Sequence, residues 1–121
     1  MSNKFSVLAR LRSFKFAFRG LRQAMQHEHN FRVHLFASLS IILLGLYFNL
    51  SQSEWLWIIA AIAMVLVAEL FNSSIEKLVD MVSPEFNPKA GIIKDIAAAA
   101  VLITAIAAAI IGVLIFYPYF F

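Results

Sequence analysis

A hydrophobic segment that carries acidic side chains along one face constrains this chain more than any other feature. Residues 55–68 are an apolar run, and the helix they begin stays continuous to Val82, where Ser83-Pro84 stops it. Within it stand Glu69, Asn72, Glu76 and Asp80, spaced three, four and four residues apart, so their side chains share one face of an α-helix. An ionisable group at membrane depth costs roughly 2.5 kcal/mol or more unless it is paired, hydrated or bound to a cation. Carboxylates in one stripe also repel one another. Such a row requires something positive against it, and a divalent metal is the simplest candidate.

Composition sets the solvent. The chain is 62% hydrophobic and 14% charged, against about 45–50% and about 25% for soluble domains, which defines a membrane protein. It has no cysteine, which excludes disulfides, a thiolate nucleophile and Cys-ligated zinc. A net charge of +3 is low for a nucleic-acid binder, and membrane orientation accounts for it, so no nucleic-acid partner is expected.

The apolar spacing predicts an all-α membrane protein in a single domain over residues 1–121, with an N-terminal surface helix and three transmembrane helices. In residues 1–30, Val7, Leu11, Phe14, Phe18, Leu21 and Met25 form one stripe. Lys4, Arg12, Lys15, Arg19 and Arg22 lie mostly to one side of it, with Arg10 on the other. This is the pattern of a helix lying against anionic lipid headgroups. It is too long and basic for a cleavable signal peptide. The spans are expected at 33–50, 55–82 and 96–116, joined by a polar turn at 49–54 and a loop at 84–94. Ala97 to Ala100 and Ala105 to Ala109 in the third span are small enough for close helix approach.

Seven of the ten Lys and Arg residues precede the first span, the 49–54 turn has none, and Lys89 and Lys94 fall in the second connection. The positive-inside rule then places the N-terminus in the cytoplasm and the C-terminus outside. Descending from Trp55, the second span reaches Glu69 after roughly 21 Å, within the cytoplasmic half of a core of about 30 Å. Glu76, Asp80, Glu28, Lys94 and Asp95 fall near the same inner interface, so polar groups of three segments converge there.

A water-soluble phosphate donor and a lipid alcohol can both reach such a level. Phosphoryl transfer needs metal to neutralise the donor phosphates, a cation near the transferred group and a base for the attacking hydroxyl. Glu28 and Glu76 are suited to hold Mg²⁺, Lys94 to supply the cation, and Glu69, the deepest carboxylate, to act as base. No Gly-x-x-x-x-Gly-Lys-Ser/Thr loop and no kinase His-Arg-Asp loop is present.

The segment Glu69-Leu-Phe-Asn72-Ser-Ser-Ile-Glu76-Lys-Leu-Val-Asp80 resembles the Glu-x-x-Asn-x-x-Ile-Glu-x-x-x-Asp signature of the small prokaryotic diacylglycerol kinase/undecaprenol kinase family. The likeness extends to Phe14-Lys-Phe-Ala-Phe-Arg-Gly20, to Glu28 and Asn30-Phe-Arg, and to Lys94-Asp95-Ile-Ala-Ala. The resemblance implies a homotrimer with active sites between subunits, using Mg-ATP to phosphorylate a lipid hydroxyl. It implies Glu69 as catalytic base with Asn72 beside it, Glu28 and Glu76 as metal-binding carboxylates, and Asp80, Lys94 and Asp95 as nucleotide and phosphate contacts. The chain departs from the family pattern in reading Asn-Ser-Ser-Ile-Glu for Asn-Thr-Ala-Ile-Glu, and Ala for a Gly common after Lys-Asp.

Asn30-Phe-Arg-Val-His34, Pro88 and Ile-Phe-Tyr-Pro118 look more like the undecaprenol kinase branch, while some diacylglycerol kinases carry a carboxylate where this chain has His34. Undecaprenol is therefore the expected acceptor, with diacylglycerol the alternative. His27, His29 and His34 suggest a ligand cluster, but interfacial histidines more often bond headgroups or water. Arg32 reads as a snorkelling anchor and Glu54 as a solvated turn residue. A small oligomeric channel or transporter is the alternative from another class, yet nothing polar continues a path outward through residues 58–68. A non-catalytic adaptor leaves the Glu69 row without a purpose.

Overall fold

The computed structural model describes residues 6–121, which form four α-helices: α1 (Val7–His27), α2 (His29–Phe48), α3 (Gln52–Val82) and α4 (Pro88–Phe120). Lys4, assigned above to the basic helix, lies outside the described residues. Three helices, α2, α3 and α4, are long and apolar enough to cross a membrane, and the protein is an all-α, multi-pass membrane protein. At 1.5 Å per residue they measure about 30, 46 and 50 Å, so α3 and α4 outreach a hydrocarbon core of about 30 Å.

The amphipathic helix α1 starts at Ser6, whose hydroxyl accepts from Ala9 N–H at 3.2 Å. Ala24 is its one buried residue, while Leu11, Phe14 and Phe18 are exposed along the expected stripe. A single residue, Glu28, separates α1 from α2: its backbone is extended, at φ −110° and ψ 105°. Arg32 fixes this corner by donating from Nη1 to the carbonyls of Met25 (3.2 Å) and Gln26 (2.9 Å). Arg32 is thus a C-terminal cap on α1, where free carbonyls and the negative end of the helix dipole attract a cation, and not the snorkelling anchor expected above.

At the far end, Asn49 takes the left-handed conformation (φ 53°, ψ 59°) that ends α2, and Leu50 N–H returns to the Gly45 carbonyl. Ser51 opens α3 with a capping box: its hydroxyl accepts from Glu54 N–H and Glu54 Oε1 accepts from Ser51 N–H. Glu54 also accepts from the Tyr119 hydroxyl at 2.6 Å, so it ties the start of α3 to the end of α4. The solvated-turn expectation for Glu54 therefore fails. Leu50, Ile58 and Phe116 form the core at this end, with Ile41, Leu44 and Trp55 among the side chains packed on it. The Phe48 ring lies 5.2 Å from Tyr119 and 5.1 Å from Phe120.

The spans differ at their edges from those expected. Helix α2 begins at His29, because the break occupies Glu28 alone and the polar residues 29–32 complete a first turn. The connection before α4 closes early: Asn87 Oδ1 accepts from Lys89 N–H at 2.9 Å, and Pro88 supplies a preset φ at the first helical position. Lys94 therefore sits on a helix and not in a loop. Pro118 does not end α4, since the aromatic packing on Phe48 holds the last turn in place. The small residues of α4 do not close it fully onto its neighbours. Ala105, Ala108 and Gly112 instead leave an apolar groove of about 450 Å³ against α2 and α3.

Candidate active site

One turn-by-turn stripe of α3 supplies the site. Glu69 is 2% exposed and Asn72 6% exposed, Glu76 is half-buried and Asp80 is exposed. The stripe thus keeps to one face of α3, as helical geometry requires, and runs from a buried to an exposed end. Each acidic member meets a partner from the same stripe or from another segment. His34, on α2, places Nε2 3.8 Å from Glu69 Oε2. Lys77, one residue beyond Glu76, binds Glu28 Oε1 at 2.8 Å and so closes α3 onto the α1–α2 corner. Lys94 Nζ reaches Asp80 Oδ1 at 2.5 Å and joins α4 to α3. Asn72 Nδ2 donates to Glu76 Oε1 at 3.4 Å.

Glu28, Glu76 and His34 all stand within electrostatic reach of Glu69, and Lys77 and Lys94 both feel Glu76. The convergence of three segments therefore extends to their side chains. Asp95 is exposed next to Lys94 on α4. His27 and His29 are exposed at the corner, and His34 alone of the three turns towards the acidic stripe.

Among the described residues, no three His, Asp or Glu side chains stand close enough together to cage a metal ion. One atom nevertheless invites a hard cation: Asn72 Oδ1 is buried and has no hydrogen-bond partner. A buried acceptor left alone costs about 1–3 kcal/mol, and an amide oxygen is a donor type that Mg²⁺ takes, although Nδ2 and not Oδ1 is the atom that faces Glu76. The oxygen donors of Asn72, Glu76 and Glu28 are of the type a hard divalent ion takes, but they are not gathered into a ligand set among the described residues.

Two contacts across helices were not legible in the sequence. Lys77 reads as an ordinary solvated charge, and only the fold turns it onto Glu28. His34 is separated from Glu69 by most of two helices, and no spacing rule couples residues on different spans.

An acidic stripe on a long apolar helix, buried at Glu69 and exposed at Asp80 and met by Lys94 from α4 and His34 from α2, is a candidate site for polar chemistry in a multi-pass helical protein. Comparison with known proteins gives the class its family. The family model described as prokaryotic diacylglycerol kinase matches residues 15–116. The undecaprenol kinase of Bacillus subtilis is 37% identical over 107 residues, covering 88% of this chain and 87% of that protein. The diacylglycerol kinase of Helicobacter pylori (strain ATCC 700392 / 26695) is 38% identical over 106 residues, 82% of this chain and 83% of its own. That of Escherichia coli (strain K12) is 28% identical across 99% of both chains. The chain belongs to the prokaryotic diacylglycerol kinase family, and it is a lipid kinase.

Proposed function

We propose that this kinase transfers the terminal phosphoryl group of ATP to undecaprenol at the cytoplasmic face of the bacterial inner membrane. In this reading the whole of residues 1–121 is one kinase domain that assembles as a homotrimer, with the N-terminus inside, the C-terminus outside and α1 against anionic headgroups. The observation that carries it is the buried Glu69 behind an apolar groove that runs about 15 Å along α2, from His34 to Leu44. A groove that follows a single helix suits the single chain of a polyprenol better than the two chains of diacylglycerol. The second reading, diacylglycerol as acceptor, is favoured by the 38% identity to the Helicobacter pylori enzyme.

Glu69 is the base for the acceptor hydroxyl, because it is the one fully buried carboxylate of the stripe and stands beside the head of the groove through His34. Lys94, which pairs with Asp80, balances charge on the transferred group, and Asp80 and Asp95 contact the nucleotide. Glu28, Glu76 and the unpartnered Asn72 Oδ1 would hold Mg²⁺, which supplies neutralisation of the donor phosphates when bound. Lys77 must release Glu28 for that carboxylate to serve.

Purified protein in bilayers, given Mg²⁺ and radiolabelled ATP with either alcohol, tests the reading. Undecaprenol should be labelled preferentially, and Glu69→Gln should lower turnover by about 10²–10⁴-fold while assembly persists. Preference for diacylglycerol reverses the substrate. Ion flux through liposomes with no lipid labelled would replace the kinase by the channel.

A further inference from the structure

Glu69 does not reach the groove that would hold an acceptor's chain. It is 2% exposed and is absent from the groove lining, whereas His34 is part of that lining and its side chain is 25% exposed. The only other polar side chain of the lining is Ser38, and its hydroxyl already donates to the His34 carbonyl at 2.7 Å. The imidazole is therefore the one uncommitted polar side chain that a hydroxyl in this groove meets. Behind it, Nε2 faces Glu69 Oε2 at 3.8 Å, too long for a hydrogen bond as it stands and within the range that tightens when a substrate loads.

We propose that His34 is a second catalytic residue, a relay that contacts the lipid hydroxyl and hands its proton to Glu69. The hydroxyl oxygen uses a lone pair to form a bond to the terminal phosphorus of the nucleoside triphosphate, and the bond from that phosphorus to the bridging oxygen breaks, with the electron pair leaving on the diphosphate. The hydroxyl proton passes to His34 Nδ1 as the Nε2 proton passes to Glu69, so the imidazole ends neutral and the carboxylate ends protonated. Glu69 remains the net acceptor, and its burial behind the ring is what keeps solvent from competing for that proton. The same arrangement makes position 34 a gate on the acceptor: a hydroxyl at the head of the groove is aligned by the ring before it reacts.

The inference rests on the lipid-kinase reading, and full-length protein in bilayers separates the two. Wild-type enzyme that labels no lipid alcohol sinks that reading. With wild-type labelling established, His34→Gln should lower kcat at least about hundredfold while KM for ATP stays within about twofold. His34→Ala should lose the same activity and regain at least a tenth of it when free imidazole is added, because the deletion leaves a hole of imidazole size at the groove head. Glu69→Gln should gain nothing from imidazole. Wild-type kcat in His34→Gln overturns the relay, and so does His34→Ala that binds ATP normally yet ignores imidazole.

Discussion

Replacing Gly45 by alanine pits two effects of similar size against each other. Gly45 sits where α2 meets the α2–α3 turn, and its carbonyl accepts from Leu50 N–H at 3.2 Å. A Cβ there would lie 2.7 Å from Trp55 Cη2 and 2.9 Å from Leu50 Cδ1. Both neighbours must retreat by roughly half an ångström or more to regain ordinary contact. Retreat is hard, because Leu50 belongs to the core, Trp55 packs against it, and the left-handed Asn49 fixes the turn between them. Overpacking of this kind costs about 1–3 kcal/mol, whereas alanine gains up to about 1 kcal/mol over glycine in a helix interior. The net expectation is a loss of about 0–2 kcal/mol. Gly91→Ala, with nothing within 4 Å of its Cβ, should keep the helical gain alone. The two variants should therefore differ by about 1–3 kcal/mol, read as denaturant midpoints in micelles from tryptophan fluorescence, to which Trp55 contributes directly. Gly45→Ala as stable as Gly91→Ala would refute the packing account.

Three further outcomes follow from named contacts. Lys77→Met frees Glu28 from its 2.8 Å partner, so Mn²⁺ should bind more tightly, by less than about tenfold, in a paramagnetic resonance titration; weaker binding would show that the lysine supports the ion. Arg32→Ala uncaps the α1–α2 corner and should cost of order 1 kcal/mol locally, seen as faster amide exchange in residues 24–30 with the spans unaffected. Tyr119→Phe removes the 2.6 Å bond to Glu54 and should speed exchange at the end of α4 while leaving kcat within about twofold of wild type; a large fall in kcat would mean that this far end is coupled to the acidic stripe.

The helical periodicity carried most of the fold. The 55–82 span ended at Val82 as Ser83-Pro84 required, and the acidic row lay along one face running from buried Glu69 to exposed Asp80. The helices themselves begin before residues 33 and 96, at His29 and Pro88, because capping residues and not hydropathy decide where a helix starts. Glu28 and Asn87 do that work through backbone geometry and a single side-chain bond. The shared face of Glu69, Asn72, Glu76 and Asp80 was legible, since one helix repeats its own spacing. Partners across helices were not: His34 meets Glu69, and Lys77 turns to Glu28, only through the packing of separate spans. Glu54 and Arg32 were misread for a related reason. A charge near a membrane edge is ambiguous until the carbonyls, amides and hydroxyls around it are placed.

Glu28 is at once the only residue between α1 and α2 and the carboxylate that Lys77 holds. A joint with no spare residues transmits whatever turns it. Any change of the angle between α1 and α2 must pass through the Glu28 dihedrals, and that rotation moves its carboxylate relative to α3. The α1–α2 angle and the seat of the Glu28 carboxylate beside α3 therefore share the same backbone dihedrals.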